Sequence, residues 1–134
     1  LIEPQHLLPA VAQGALSIEL RSGDEATQAL LNPLHHFESA LCVLAERAMN
    51  CRLQGGCQVP IAGFAQLNAN NGLSLEGRVG AIDGSELLIE KQQIVLSGDD
   101  TQRVKQAEQL GETIADHLLA RGARVLLDQA YDNQ

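Results

Sequence analysis

The alternation of apolar and polar residues from Leu73 to Ala81 constrains the fold of this chain more than any other feature. A period of two predicts a strand with one buried face. Asp83-Gly84 follows as a two-residue hairpin signal, and similar segments lie at 59–67 and from Glu86 to Leu96. Because the connections between these segments are short, we predict an antiparallel sheet of three strands.

Helical patterns lie on both sides of the predicted strands. The first helix is predicted from about Pro33 to Leu53, with Asn32 as its N-cap, since proline suits the first helical position. Its apolar face is predicted to contain Leu34, Phe37, Leu41, Leu44, Ala48 and Cys51, whereas Glu38, Glu46, Arg47 and Arg52 fall outside that face.

A second long helix is predicted after the break at Ser97–Asp100, where an N-cap is available. It runs to about Arg121, with Gly122 as its C-terminal stop, and a last short helix follows from Ala123 to Tyr131. Residues 32–134 therefore have the order α-β-β-β-α-α. This order predicts an α+β domain, a three-stranded antiparallel sheet packed against about three helices.

Residues 1–31 differ from this unit and are interpreted as a separate segment. Ala15–Leu20 alternates like a half-buried strand, which predicts an extra N-terminal extended or strand segment. Ser22–Asp24 is predicted to end that strand and to cap a short helix through Leu31. The chain begins with leucine and shows no basic stretch followed by an apolar one, so we expect a piece of a longer protein without a signal peptide.

Composition excludes several classes of partner. The chain has 134 residues and a formal net charge of −8, which argues against nucleic acid or an anionic membrane as a partner. No apolar run approaches the roughly 20 residues of a membrane span. The three cysteines do not suggest a disulfide framework. Free thiols and a reducing cytoplasm are the expected setting.

Gly55-Gly56-Cys57 is the strongest candidate for chemistry. It lies between a predicted helix end and a predicted strand start. The glycines permit a positive φ and the close approach of a bulky group, and a thiol on such a loop can carry a covalent group. The alternative is that Cys57 is a small buried apolar residue, but loops expose side chains and often carry function.

Other candidate sites have weaker support. His35 and His36 would point about 100° apart on a helix, and with Cys42 they lack the spacing of a metal site. Packing is the stronger interpretation of Cys42 and Cys51. No hydrolase nucleophile motif occurs, and the carboxylates of the second long helix are interpreted as a capping turn and a solvated face.

Three stretches carry a resemblance to a known family: residues 8–16, His35-His36 together with residues 45–50, and residues 53–61. In order and spacing they resemble the C-terminal portion of the porphobilinogen deaminase (hydroxymethylbilane synthase) family, and the resemblance covers essentially the whole chain. Ala12 departs from it, because that family usually has glycine there.

The resemblance implies a covalent cofactor. It assigns Cys57 as the residue that holds dipyrromethane through a thioether, flanked by Gly55 and Gly56, and it places Gln13 near the cofactor. The enzyme is a transferase of tetrapyrrole and heme biosynthesis, which polymerises four porphobilinogen units with loss of ammonia onto this primer and releases hydroxymethylbilane.

The resemblance also implies what this chain lacks. In the family a catalytic aspartate and an arginine set come from the two N-terminal domains, so no catalytic residue is expected here and the chain alone is expected to be inactive. Residues 1–31 would be a remnant of those domains and residues 32–134 the cofactor-anchoring domain. Residues 1–31 would need cover from another chain, which allows self-association.

Two other functions are compatible with the residues alone. A small α+β ligand-binding or regulatory module needs no chemistry, and a covalent adduct on Cys57 would separate it from the enzyme hypothesis. A thiol redox protein has little support, because no CxxC pattern occurs.

Overall fold

The computed structural model describes residues 3–4, 6–56 and 58–132. Within them the elements are, in chain order, α1 (Glu25–Leu31), a 3-10 turn (Asn32–Leu34), α2 (Phe37–Leu53), β1 (Ile61–Leu67), β2 (Gly72–Gly80), β3 (Leu87–Val95), α3 (Asp100–Ala120) and α4 (Ala123–Asp132). This order confirms the predicted α+β fold with its three-stranded sheet.

The sheet is an antiparallel meander of order β1-β2-β3. Its central strand confirms the predicted alternation, since Leu73, Leu75 and Val79 are fully buried. The predicted hairpin is also present, but its connection is longer than the predicted two residues. The Ala81 N–H donates to the Glu86 carbonyl at 2.8 Å and closes the hairpin, and the Gly84 N–H donates to the Ala81 carbonyl at 3.1 Å within the turn. One face of the sheet is therefore buried in the core.

Helices α2 and α3 cover the core face of the sheet, and Met49 of α2 lies directly over it. Gly63 and Gly77 are cross-strand partners beneath this side chain. A Cβ atom at Gly63 would lie 2.6 Å from the Met49 Cε atom, and one at Gly77 would meet the Met49 sulfur. The glycine pair therefore makes the space that lets α2 sit close to the sheet.

Helix α2 begins later than predicted. The Asn32-Pro33 pair starts the 3-10 turn, and His35 has extended backbone (φ −69°, ψ 115°). His36 is the N-cap of α2, and its Nδ1 atom accepts the Ser39 N–H at 3.3 Å. The predicted N-cap was wrong because an Asn-Pro pair suits a 3-10 turn as well as an α-helix.

The buried face of α2 also differs from the predicted one. The buried residues are Leu41, Ala45, Glu46, Met49 and Leu53. Leu34 and Cys51 are exposed, whereas Leu44 and Ala48 are only half-buried. The face is turned because α2 must contact α3 as well as the sheet: a Cβ atom at Gly111 of α3 would collide with the Ala45 carbonyl.

The ends of α3 and the presence of α4 follow the prediction. The Asp99 side chain accepts the Gln102 N–H at 2.9 Å, and the Gln102 side chain accepts the Asp99 N–H at 2.9 Å, which completes a capping box. Gly122 takes a φ of +100° between α3 and α4, the backbone that a glycine stop supplies.

The predicted strand at Ala15–Leu20 is wrong. These described residues belong to no strand and are exposed, Leu16 completely. A strand needs a neighbour for its backbone groups, and the free edge of β1 is occupied by another segment, where the Gly63 N–H donates to the Pro9 carbonyl at 3.3 Å. The short helix α1 is confirmed, with the Asp24 carboxylate accepting the Thr27 N–H at 3.0 Å.

Candidate functional site

The loop that follows α2 is fastened to the end of that helix. Gln54 adopts left-handed backbone (φ 57°, ψ 39°) and ends the helix. The Gly55 N–H donates to the Asn50 carbonyl at 2.9 Å, and the Asn50 side-chain amide donates back to the Gly55 carbonyl at 3.1 Å. Asn50 therefore holds both polar groups of the Gly55 backbone.

Tyr131 of α4 holds the same loop from the other side. Its hydroxyl donates to the Gln54 carbonyl at 2.9 Å and accepts the Gly56 N–H at 3.0 Å. The backbone from Gln54 to Gly56 is thus supported by two helices that are far apart in sequence. Neither Asn50 nor Tyr131 was predicted from the sequence as a support of this loop.

Gly55 and Gly56 are required for close approach and not for a positive φ. Neither glycine has left-handed backbone; the residue that has it is Gln54. A Cβ atom on Gly55 would collide with Asn50 Oδ1 and would lie 2.6 Å from the Ile61 Cδ1 atom. A Cβ atom on Gly56 would lie 3.3 Å from the Tyr131 hydroxyl oxygen.

Cys57, the predicted attachment residue, lies outside the described residues. The residues beside it in the chain, Gly56 and Gln58, are both exposed, and Val59 joins the buried core. The described loop is therefore a short surface connection between the end of α2 and the start of β1.

The other two cysteines differ in their surroundings. Cys42 is half-buried and packs against the core, and its burial raises the pKa of the thiol. This agrees with the packing role predicted for it. Cys51 is exposed on α2, so the packing role predicted for it is wrong. It provides a solvent-accessible thiol near the loop for comparison with Cys57.

The nearest cation before the loop in sequence is already paired. Arg52 forms a two-pronged ion pair across α2 and α3, with its Nε and one terminal nitrogen 2.8 Å and 3.2 Å from the Asp116 carboxylate oxygens. The bond to Asp116 raises the pKa of Arg52. The cation that directly precedes the loop is therefore engaged with Asp116.

Gln13 closes a turn in the N-terminal segment. Its side-chain oxygen accepts the Ala10 N–H at 3.0 Å, and its own N–H donates to the Ala10 carbonyl at 3.0 Å. The neighbouring Ala12 N–H is bonded to Glu46, two turns before the end of α2. At about 1.5 Å per residue, the helix separates Glu46 from Gln54 by roughly 12 Å.

Glu46 is a buried carboxylate that the sequence analysis placed outside the apolar face. It is 5% exposed, and its oxygens accept the Ala12 N–H at 2.6 Å and the Ala65 N–H at 2.7 Å. Burial raises the pKa of Glu46, against the opposing effect of these two hydrogen bonds.

Comparison with known proteins identifies the family. The family described as "Porphobilinogen deaminase, C-terminal domain" matches residues 40–120, more than half of the chain. The chain belongs to the porphobilinogen deaminase family. One relative, the chloroplastic porphobilinogen deaminase of Euglena gracilis, is 50% identical over 135 residues, which cover 98% of this chain and 28% of that protein. The chain therefore spans less than a third of the relative's length.

The comparison corrects one expectation and leaves others as predictions. The predicted cytoplasmic location is contradicted, because the Euglena gracilis porphobilinogen deaminase is described as chloroplastic. Free cysteines indicate redox conditions and do not distinguish one reducing compartment from another. None of the helices in the described ranges is long and apolar enough to cross a membrane. The assignments of Cys57, Gly55, Gly56 and Gln13 to the cofactor, and the division of the chain at residue 31, stay predictions.

Proposed function

We propose that this chain is the cofactor-anchoring part of a porphobilinogen deaminase and that Cys57 holds dipyrromethane through a thioether. The observation that carries the proposal is the double fastening of the loop that leads to Cys57. Asn50 and Tyr131 bind the backbone of Gln54, Gly55 and Gly56 from two helices. A residue that holds a growing chain of pyrrole units needs a loop whose backbone is held in place.

The proposed activity of the whole protein is a polymerisation. Four porphobilinogen units are joined with loss of ammonia, as a step of tetrapyrrole biosynthesis. The bound cofactor supplies the pyrrole carbon to which units are added. This chain contributes the attachment point, which makes each addition intramolecular and so raises the effective concentration of the reacting group.

The residues around the loop fit a bulky group attached by sulfur. A cysteine thiolate is the side chain best suited to forming a thioether. The residues on either side of it, Gly56 and Gln58, are exposed, and Gly55 and Gly56 place no side chains beside it. Gln13 is proposed to lie near the cofactor only once the rest of the protein is present.

The charge of the chain indicates that the substrate-binding cations lie elsewhere. The chain contains nine lysines and arginines and seventeen acidic residues, and Arg52 is ion-paired with Asp116. The carboxylates of porphobilinogen call for arginine forks, and protonation of the leaving amine calls for a positioned acid. We assign both to the parts of the protein beyond this chain.

Intact mass of the full-length protein tests the proposal. We expect an excess equal to two linked pyrrole units, mapped to the peptide that contains Cys57. Cys57→Ser should abolish the excess, whereas Cys51→Ser, which removes an exposed thiol on α2, should retain it. An unmodified Cys57 in active full-length protein would overturn the proposal, and an unmodified Cys57 in full-length protein without activity would favour a ligand-binding module.

A further inference from the structure

Tyr131 links the last helix of the chain to the loop after α2. Its hydroxyl donates to the Gln54 carbonyl at 2.9 Å and accepts the Gly56 N–H at 3.0 Å. These two backbone groups belong to peptides on either side of Gly55. One side-chain atom therefore restrains both the position and the orientation of this stretch of backbone.

The backbone of Gln54 and Gly56 lets the Tyr131 hydroxyl approach the loop closely. A Cβ atom on Gly56 would come within 3.3 Å of the Tyr131 oxygen, a separation tight enough to disturb the contact. Gln54 has left-handed backbone (φ 57°), which is unfavourable for a residue with a side chain. The hydrogen bond to its carbonyl helps to keep it there.

We propose that Tyr131 is a positioning residue for the cofactor loop. By fixing the backbone of Gln54 and Gly56 it sets the direction in which the chain enters Cys57, and so couples α4 to the placement of the anchor. The proposal rests on the proposed function, in which Cys57 carries the cofactor. Tyr131 is proposed to act through the loop backbone and not through contact with the substrate.

Tyr131→Phe in the full-length protein tests the backbone restraint, because it removes the hydroxyl and keeps the ring. We expect hydrogen exchange at the Gly56 amide to become about tenfold faster, the scale of one lost hydrogen bond. Asp128→Asn, an exposed position three residues earlier on α4, is the matched control and should leave that exchange unchanged. Unchanged exchange in Tyr131→Phe would overturn the proposal.

Steady-state kinetics with porphobilinogen test the positioning role. We expect Tyr131→Phe to lower kcat about tenfold, because small misplacements of a reacting group are costly, and to leave KM unchanged. Faster exchange with wild-type kcat would overturn the positioning role. So would a tenfold loss in Tyr131→Ala with none in Tyr131→Phe, since the ring and not the hydroxyl would then matter.

The failure of the proposed function can be told apart from the failure of this inference. If wild-type protein carries no added mass on Cys57, the proposed function is wrong. The Gly56 exchange rate in Tyr131→Phe still decides whether the hydroxyl fixes the loop.

Discussion

The carboxylate of Glu46 joins Ala12, in the N-terminal segment, to the edge of the sheet. One oxygen accepts the Ala12 N–H at 2.6 Å and the other accepts the Ala65 N–H of β1 at 2.7 Å. The Pro9 carbonyl adds a third link to this edge through the Gly63 N–H. Glu46 therefore satisfies the Ala65 donor, which would otherwise be left at an uncovered strand edge, and ties Ala12 to it.

Glu46→Gln should destabilise the chain by about 1–3 kcal/mol, the usual cost of leaving a buried donor without an acceptor. An amide offers one oxygen, so either the Ala12 or the Ala65 N–H would face an NH₂ group. Urea denaturation measures the change. Glu38→Gln, an exposed position on the same helix, is the control and should stay within about 0.5 kcal/mol of wild type.

The pH dependence of stability should carry a signature of Glu46. Burial raises the pKa of this carboxyl in the folded chain, while the unfolded chain keeps the ordinary value of about 4.3. Between these two values the folded state binds more protons, so the free energy of unfolding falls as pH rises through this window. The difference between wild type and Glu46→Gln should shrink over the same window, and a difference independent of pH would contradict this assignment.

Ala12→Gly should stabilise the docking of the N-terminal segment. Ala12 has a φ of 59°, and left-handed backbone costs a residue with a side chain about 1–2 kcal/mol. We expect a gain of about 1 kcal/mol, measured as slower hydrogen exchange at the Ala12 and Ala65 amides. Ala10→Gly, in the same segment but without a positive φ, should give no gain. Equal effects of the two substitutions would show that the conformation of residue 12 is not the cause.

The sequence predicted those parts of the fold that depend on local patterns. The alternation around Leu75 and the N-cap within Ser97–Asp100 each involve neighbours in sequence, and both are confirmed, the cap being Asp99. Asn32 was wrongly chosen as the cap of α2, because local signals do not distinguish a 3-10 turn from an α-helix. Glu46 was missed because its partners lie 34 residues before it and 19 residues after it.

The candidate site, like the fold, was predicted only where the signal is local in sequence. Gly55 and Gly56 were identified from the Gly-Gly-Cys motif as residues that permit a positive φ and the close approach of a bulky group. In the structure neither has a positive φ, and the groups that approach them closely include Asn50 and Tyr131. Tyr131 lies 75 residues from Gly56. No periodicity or motif connects residues at that separation, so only the packing of α4 could show the contact.

Gly55→Ala should loosen the loop, because the added methyl would collide with Asn50 Oδ1. We expect a loss of about 1–3 kcal/mol in the free energy of unfolding and a smaller fraction of full-length protein modified on Cys57, measured by intact mass. Gly80→Ala is the matched control, since its nearest contact would be an ordinary 3.7 Å and its φ is not positive. Similar results for both variants would refute a specific need for glycine at Gly55.

The chain expressed alone should not consume porphobilinogen. It carries an excess of eight negative charges, and the arginine closest to the loop in sequence is paired with Asp116. We expect ammonia to be released from porphobilinogen no faster than in buffer without protein. The full-length protein is the positive control. Measurable turnover by the chain alone would show that the acid and the substrate-binding cations lie within it.

The N-terminal segment should be covered by other protein in solution. Leu16, Ile18 and Leu20 are 100%, 56% and 41% exposed, and the exposure of three apolar side chains within five residues is unfavourable in water. We expect the chain expressed alone to self-associate in analytical ultracentrifugation, and Leu16→Ser with Ile18→Ser to shift it toward monomer.

Val95→Thr is the control for this experiment, because Val95 is 71% exposed on β3 and lies outside the segment. It should leave the association unchanged. A wild-type monomer whose amides at residues 15–20 are protected from hydrogen exchange would contradict the prediction, since the segment would then find its cover within its own chain.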